Sequence, residues 1–216
     1  MTLHLECVPE PAQRLAARLF PALAPVGFVL AGGTGLALQL GHRVSVDFDF
    51  FVEPGRFPRL LKEHIAGSAA TTRVIQDRQD TLDVLLDAIK CSFFSYPYPF
   101  SAFDECFHYI PLACVLDIAA MKLIAIAQRG ARKDFIDLYV VLQVHGFDAV
   151  FANALRRFGP HSINPLQVGK SLVYFADAEP DPDPPFAGAP IGWPMVEDFF
   201  RAHAREFVEH MICATR

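Results

Sequence analysis

The chain has 216 residues, 52% hydrophobic and 20% charged, enough for one large domain or two small ones and too apolar for a disordered or collagen-like polymer. Its formal net charge of −5 argues against a protein that coats nucleic acid through bulk charge, while leaving room for a small basic cleft.

In chain order, Leu15, Leu19 and Leu23 lie four apart and predict an opening helix within residues 1–25, its end blurred by Pro21 and Pro25. Gly27 to Ala31 reads as a short buried strand. Gly32-Gly33 breaks it, and Thr34 to Leu40 reads as a helix closed by Gly41. Val44 to Phe51 alternates and reads as a strand, with Val46, Phe48 and Phe50 turned to a core and Asp47 and Asp49 sharing the other face. A helix is expected over 57–66. A meander follows, with strands at Thr72–Gln76, Leu82–Leu86 and Ile89–Tyr96, turns at Asp77–Asp80 and Asp87-Ala88, and a proline-closed end. After Pro111 the period becomes helical: Leu116–Arg129, Lys133–His145, Phe147–Phe158, 165–176 and Met195–Met211, with a proline-rich linker over 180–194. The pattern is an α/β half followed by an all-helical half, divided near residue 110.

Cys7, Cys91, Cys106, Cys114 and Cys213 are scattered and odd in number, which reads as reduced, mostly buried thiols in a cytoplasmic protein. The histidines lack ligand spacing, so zinc is not expected. Neither a signal peptide nor a membrane span is expected.

The chemistry concentrates in Gly32-Gly33-Thr34 followed by Asp47-Phe48-Asp49. Two carboxylates side by side repel unless a cation lies between them, and Mg²⁺ suits such a pair when substrate phosphates complete its shell. Two glycines at a strand-to-helix turn let backbone N–H groups approach a phosphate, with Thr34 as a hydroxyl donor or N-cap. Arg43 and Ser45 share the Asp face by alternation, and Arg43 suits a phosphate or a surface salt bridge. Further on, Lys122 sits among apolar neighbours and shares a helix face with Arg129, while Asp134 and Asp137 open the next helix.

The string Leu30 to Leu38, then His42 to Phe51, resembles the AbiEii/AbiGii toxin family within the polymerase beta-like nucleotidyltransferases. Met121 to Ile126, Arg129 and Lys133 to Leu138 form a second matching block. The resemblance covers about residues 25–145. It implies an α+β fold: a mixed sheet flanked by helices over 1–110, then a helical part over 111–216 that completes an active-site cleft. It implies transfer of a nucleotide from an NTP with one or two Mg²⁺ on Asp47 and Asp49. Gly32, Gly33, Thr34, Arg43, Ser45 and Arg129 would then bind nucleotide, and Lys122 and Asp134 would join Asp47 and Asp49 in catalysis. For some members the acceptor is the 3′ end of tRNA, and many are encoded beside an antitoxin.

Polymerase beta-like enzymes usually add a third carboxylate on a later strand. Here Ser92 occupies the candidate position, with Asp83 and Asp87 nearby. That departure leaves the general base to Asp49 or Asp134, and it admits an alternative: a catalytically weak NTP- or protein-binding module on the same fold. The run Phe93 to Phe100 reads as core and strand end or as a stacking platform for a base. Arg156-Arg157 with Lys170 reads as a solvated face or an RNA contact, and Asp177 to Asp183 as linker.

Overall fold

The computed structural model describes residues 2–101 and 105–214 and divides them into two compact units, Met1–Cys114 and Val115–Arg216.

The first unit is built on a five-stranded mixed sheet. After a short 3-10 turn at Leu5–Cys7 comes α1, Glu10–Leu23, whose buried stripe is Ala12, Leu15, Ala16, Leu19, Phe20 and Leu23. Pro9 precedes it and Pro11 lies in its first turn, where a missing N–H costs nothing. Then follow β1 (Val29–Ala31), α2 (Gly32–Leu40), β2 (Phe48–Val52) and α3 (Leu61–Ile65). The meander is β3 (Thr72–Arg78), β4 (Thr81–Leu86) and β5 (Ile89–Ser95), and β6 (Cys106–Phe107) pairs with β7 (Ile110–Pro111). Sheet order is β1-β2-β5-β4-β3, with β2 and β5 parallel and the other neighbours antiparallel. The expected hairpin at Asp87-Ala88 forms with both residues at positive φ, and the Asp87 carboxylate accepts from the backbone N–H groups of Ala70 and Thr71 at 2.9 Å.

One sheet face is the core, where Phe48, Phe50, Val84, Cys91 and Phe93 meet α1 residues in a single buried cluster. Phe20 stands edge-on to Phe48 and Phe50, each with ring centroids 5.1 Å away, and to Phe107 at 5.6 Å.

The second unit is helical: α4 (Val115–Arg129), α5 (Arg132–Phe158), α6 (Pro165–Ser171) and α7 (Trp193–Ala214). Gly146, at φ 71° and ψ 166°, breaks α5 where the sequence places the join between two helices. Phe135 packs against Phe175, Trp193 and Phe200 at 5.2 to 5.8 Å. A Cβ on Gly169 would stand 2.1 Å from Val208 Cγ2, so α6 rests directly on α7.

Several expectations change. The strand expected from Val44 starts only at Phe48, and Val46 is 44% exposed rather than in the core. α1, α3 and α6 are shorter than their patterns, although Leu172 and Phe175 beyond the end of α6 are still buried. Two cysteines, Cys7 and Cys91, are buried, while Cys106 and Cys213 are exposed. The proline-rich stretch is no free linker: Arg132 Nη1 lies 2.8 Å from Asp183, its backbone N–H donates to Asp181 at 3.0 Å, and its guanidinium lies over Trp193 at 4.9 Å. Arg157 is buried against Asp117 at 3.0 Å, and so belongs to the core of its unit. No Asp, Glu, Lys or Arg occurs between Arg18 and Arg43, yet α1, β1 and α2 divide that run. α5 is long and apolar enough to cross a membrane by length and composition, but half of that window is buried within the structure, as in a core helix.

Removing the Phe20 ring opens a cavity between α1 and the sheet. Phe20→Ala is expected to lower unfolding free energy by about 3–5 kcal/mol, while Val144→Ala at a 65% exposed position stays within about 0.5 kcal/mol. Urea unfolding checks both, and equal effects would remove Phe20 from its central place.

Candidate functional site

In the first unit the site is organised by the β1–α2 junction. Ala31, the last residue of β1, pairs with Asp49 of β2, and the chain turns at once into α2 through Gly32 at φ +64°. A Cβ on Gly32 would stand 2.2 Å from Asp49 Oδ2, so the carboxylate lies directly on the backbone. A Cβ on Gly33 would stand 2.3 Å from Arg43 Nη2 and 3.2 Å from Ser45 Oγ. Both glycines are therefore required by close approach, and the helix begins two residues earlier than the pattern suggests. No side chain caps α2. Its first N–H groups are the kind of donors that an anion can take up.

Thr34 is buried and ties the segment before β2 to α2. Its hydroxyl lies 2.8 Å from Ser45 Oγ and also meets the Asp47 carbonyl. One hydroxyl has one proton, so Thr34 donates to that carbonyl and accepts from Ser45. Ser45 N–H donates to Cys7 O at 2.8 Å. These bonds, rather than a sheet ladder, fix residues 43–47. Asp47 consequently lies outside the strand and is exposed, whereas Asp49 within it is half-buried. The Cys91 thiol is pushed well above its usual range by burial and then by the charges of Asp47 and Asp49, which keeps it protonated and inert as a nucleophile.

Across the sheet, Ala31, Asp49, Ser92 and Asp83 pair in one row. Residues paired across neighbouring strands share a face. Ser92 is buried, and Oδ1 of Asp83 is buried without a hydrogen-bond partner. The sequence alone could name Asp83 as a nearby acid, but only strand register puts it in line with Asp49. Asp87 lies in the hairpin turn, outside this row.

In the second unit Lys122 of α4 is 6% exposed. Its Nζ lies 2.8 Å from Asp134 Oδ1 and 2.8 Å from Asp137 Oδ2, both residues being fully buried. Arg129 grips Asp134 with two bonds, Nε to Oδ2 at 2.8 Å and Nη2 to Oδ1 at 3.0 Å. Burial opposes ionisation of Asp134, but Lys122 and Arg129 outweigh it and hold the pKa below the ordinary carboxylate value.

Among the described residues no group of three or more His, Cys, Asp or Glu side chains is placed to hold a metal. Asp47 and Asp49 are hard oxygen donors with one member open to solvent. That suits an ion which keeps waters and takes phosphate oxygens.

The family described as Nucleotidyl transferase AbiEii toxin, Type IV TA system, matches residues 14–92 and 81–212. An uncharacterised protein of Aquifex aeolicus (strain VF5) is 38% identical over 186 residues, 85% of this chain and 89% of that protein. Similar solved structures include a proposed nucleotidyltransferase from H. pylori (TM-score 0.57, 15% identity, 94% and 96% of the two chains covered). They also include MenT4, a nucleotidyltransferase toxin of Mycobacterium tuberculosis H37Rv (TM-score 0.51, 18% identity, 95% and 91% covered). At such identities these likenesses speak to the fold.

Replacing Lys122 by Met leaves two buried carboxylates facing each other. Lys122→Met is expected to cost about 3–5 kcal/mol at pH 7. A carboxylate whose folded pKa is depressed stabilises the fold above the ordinary value of 3.8, and that contribution fades as pH falls from there through the folded pKa. In the variant the carboxylates are stabilised by protonation instead. The gap between wild type and variant should therefore narrow as pH drops towards 3.5, and a gap independent of pH in urea unfolding would refute this account.

Proposed function

The chain belongs to the AbiEii nucleotidyltransferase toxin family and is a nucleotidyltransferase; from that premise we propose a Mg²⁺-dependent transfer of NMP from an NTP to an acceptor hydroxyl of RNA, tRNA included. The observation that carries the proposal is the Asp49 carboxylate seated on Gly32 at the N-terminus of α2, with Asp47 beside it.

In this reading the triphosphate lies over Gly32, Gly33 and Thr34, whose backbone N–H groups face it, and Arg43 and Ser45 steady the same loop. Asp47 and Asp49 would hold one or two Mg²⁺, which supply charge neutralisation at the α-phosphate and the departing pyrophosphate. Lys122 and Arg129 of the second unit are proposed as charge-offsetting cations, with Asp134 positioning Lys122. The acceptor hydroxyl attacks the α-phosphorus, the bond to the bridging oxygen breaks, and pyrophosphate leaves in line.

The proton of that hydroxyl needs an acceptor. Asp134 is a poor one, because two cations stabilise its anion. Asp83 shares the row with Asp49 and Ser92 and has an oxygen without a partner, so we assign it this role in preference to Asp49 or Asp134. By strand spacing it stands roughly 9–10 Å from Asp49, near enough for an acceptor hydroxyl to lie between them. The family label also motivates an antitoxin protein as partner, and the dependence on NTP places the reaction in the cytoplasm.

The test is transfer from each α-labelled NTP, with Mg²⁺, to total cellular RNA and protein. Asp47→Ala and Asp49→Ala are expected to abolish labelling while leaving thermal unfolding in place. Full labelling by both variants would overturn the mechanism. Mg-NTP binding without a labelled acceptor would favour a binding module instead. Asp83→Asn is expected to lower kcat about 10²-fold or more. An unchanged kcat would return the base to another group.

A further inference from the structure

The sheet face that carries Asp49 continues into an aromatic pocket that the reaction outlined above does not use. One step along β2 on that face is Phe51, paired with Val29 of β1 and Phe94 of β5. Phe51 and Phe94 are stacked, with ring centroids 5.2 Å apart. Tyr96 stands edge-on to Phe51 at 5.2 Å and stacks with Phe100 at 5.7 Å. Phe51, Tyr96 and Phe100 line, with Glu53 and Arg56, a cavity of about 180 Å³. The Arg56 guanidinium lies over Gly27, where a Cβ would stand 2.8 Å from Nη2.

Flat rings and an exposed guanidinium together suit a nucleotide, which offers a base π-face to stack and a phosphate to pair. The direction of the strands adds to this. β1 runs antiparallel to β2, so the Gly32-Gly33 turn lies at the start of β2, and the pocket lies towards its end, with Asp49 between them. In a displacement whose leaving pyrophosphate sits at the glycine turn, the attacking hydroxyl arrives from the opposite side. That is the side of the pocket. Asp49 and Phe51 are about 6.6 Å apart along the strand, the scale of one nucleotide.

We propose that the pocket walled by Phe51, Tyr96 and Phe100 receives the terminal base of the nucleic-acid acceptor and turns its free hydroxyl back towards Asp49. The inference rests on the nucleotidyltransferase reading above and adds to it where the acceptor sits.

The probes are 5′-fluorescein-labelled homopolymeric hexaribonucleotides with free 3′ hydroxyls, and a matching hexamer whose 3′-terminal nucleotide lacks its base. Hexamer Kd is measured by anisotropy at fixed salt, and NTP Kd by calorimetry, on the full chain. Tyr96→Ala and Phe100→Ala are expected to weaken the intact hexamer roughly 5- to 100-fold, the range of one base–aromatic stack, and to leave NTP Kd within about twofold. Tyr96→Phe should bind as wild type does. The abasic hexamer should bind wild type as weakly as the intact one binds Tyr96→Ala, and this comparison decides the matter even where an alanine variant fails to fold.

An intact hexamer that binds folded alanine variants, and an abasic hexamer that binds wild type, with undiminished affinity would overturn the proposal. A shift in NTP Kd alone would assign the pocket to the donor's base and overturn it too. Wild type that binds NTP but no hexamer overturns the acceptor site and leaves the transferase reading standing. Failure of wild type to bind any NTP would instead remove the reading beneath both.

Discussion

The first unit depends on one close approach: a carboxylate resting on the backbone of the residue that starts a helix. Asp49 Oδ2 occupies the space a Cβ on Gly32 would need, and Gly32 holds a positive φ that other residues resist. The arrangement is electrostatically favourable, because helix N-termini attract negative charge. It also leaves the same N-terminus with no side-chain cap, so a second anion finds donors there. Thr34, Ser45 and Arg43 then pin the approaching segment against Gly33, and Asp47 is presented to solvent at its end. The features of the first unit that are proposed for phosphate and metal binding follow from that junction.

The second unit carries a different constraint. Lys122, Asp134 and Asp137 are buried together, and apolar residues of similar volume would often be no less stable. The arrangement nevertheless fixes geometry. Arg129 is the last residue of α4 and Asp134 lies in the first turn of α5, so their two hydrogen bonds staple the tight turn at Gly130 and Ala131. Lys122, a full two turns earlier on α4, is held to the same carboxylate. A cation kept immobile in this way is suited to electrostatic stabilisation, since it needs no reorganisation when charge develops.

Much of this was legible in the residues. The meander, the helical second half, the break at Gly146 and the tight turn at Gly32-Gly33 all follow from period and turn residues. The start of β2 did not, because the alternation through Arg43 and Ser45 continues beyond the strand: those side chains turn inward to meet Gly33, not to extend a ladder. The acidic stretch over 177–183 resembles a linker because its partner, Arg132, is some fifty positions away in the chain. Asp83 was one acid among several until register set it opposite Ser92. The aromatic run after Phe93 held two meanings, and alternation resolves them: Phe93 enters the core, while Phe94 and Tyr96 lie on the face of Asp49.

The state in which each carboxylate is held bears on the role proposed for it. A proton acceptor works best when its conjugate acid is not too strong, and a carboxylate clasped by a lysine and an arginine is stabilised in the wrong state for that task. Asp134 therefore suits positioning, and the cations around it suit charge neutralisation. On the sheet, Ser92 separates Asp49 from Asp83, so the acid proposed for metal binding and the acid proposed as proton acceptor need not compete for the same cation. In the proposed transfer a serine in the middle position is then no defect in the row, because it leaves room between two carboxylates for the acceptor hydroxyl.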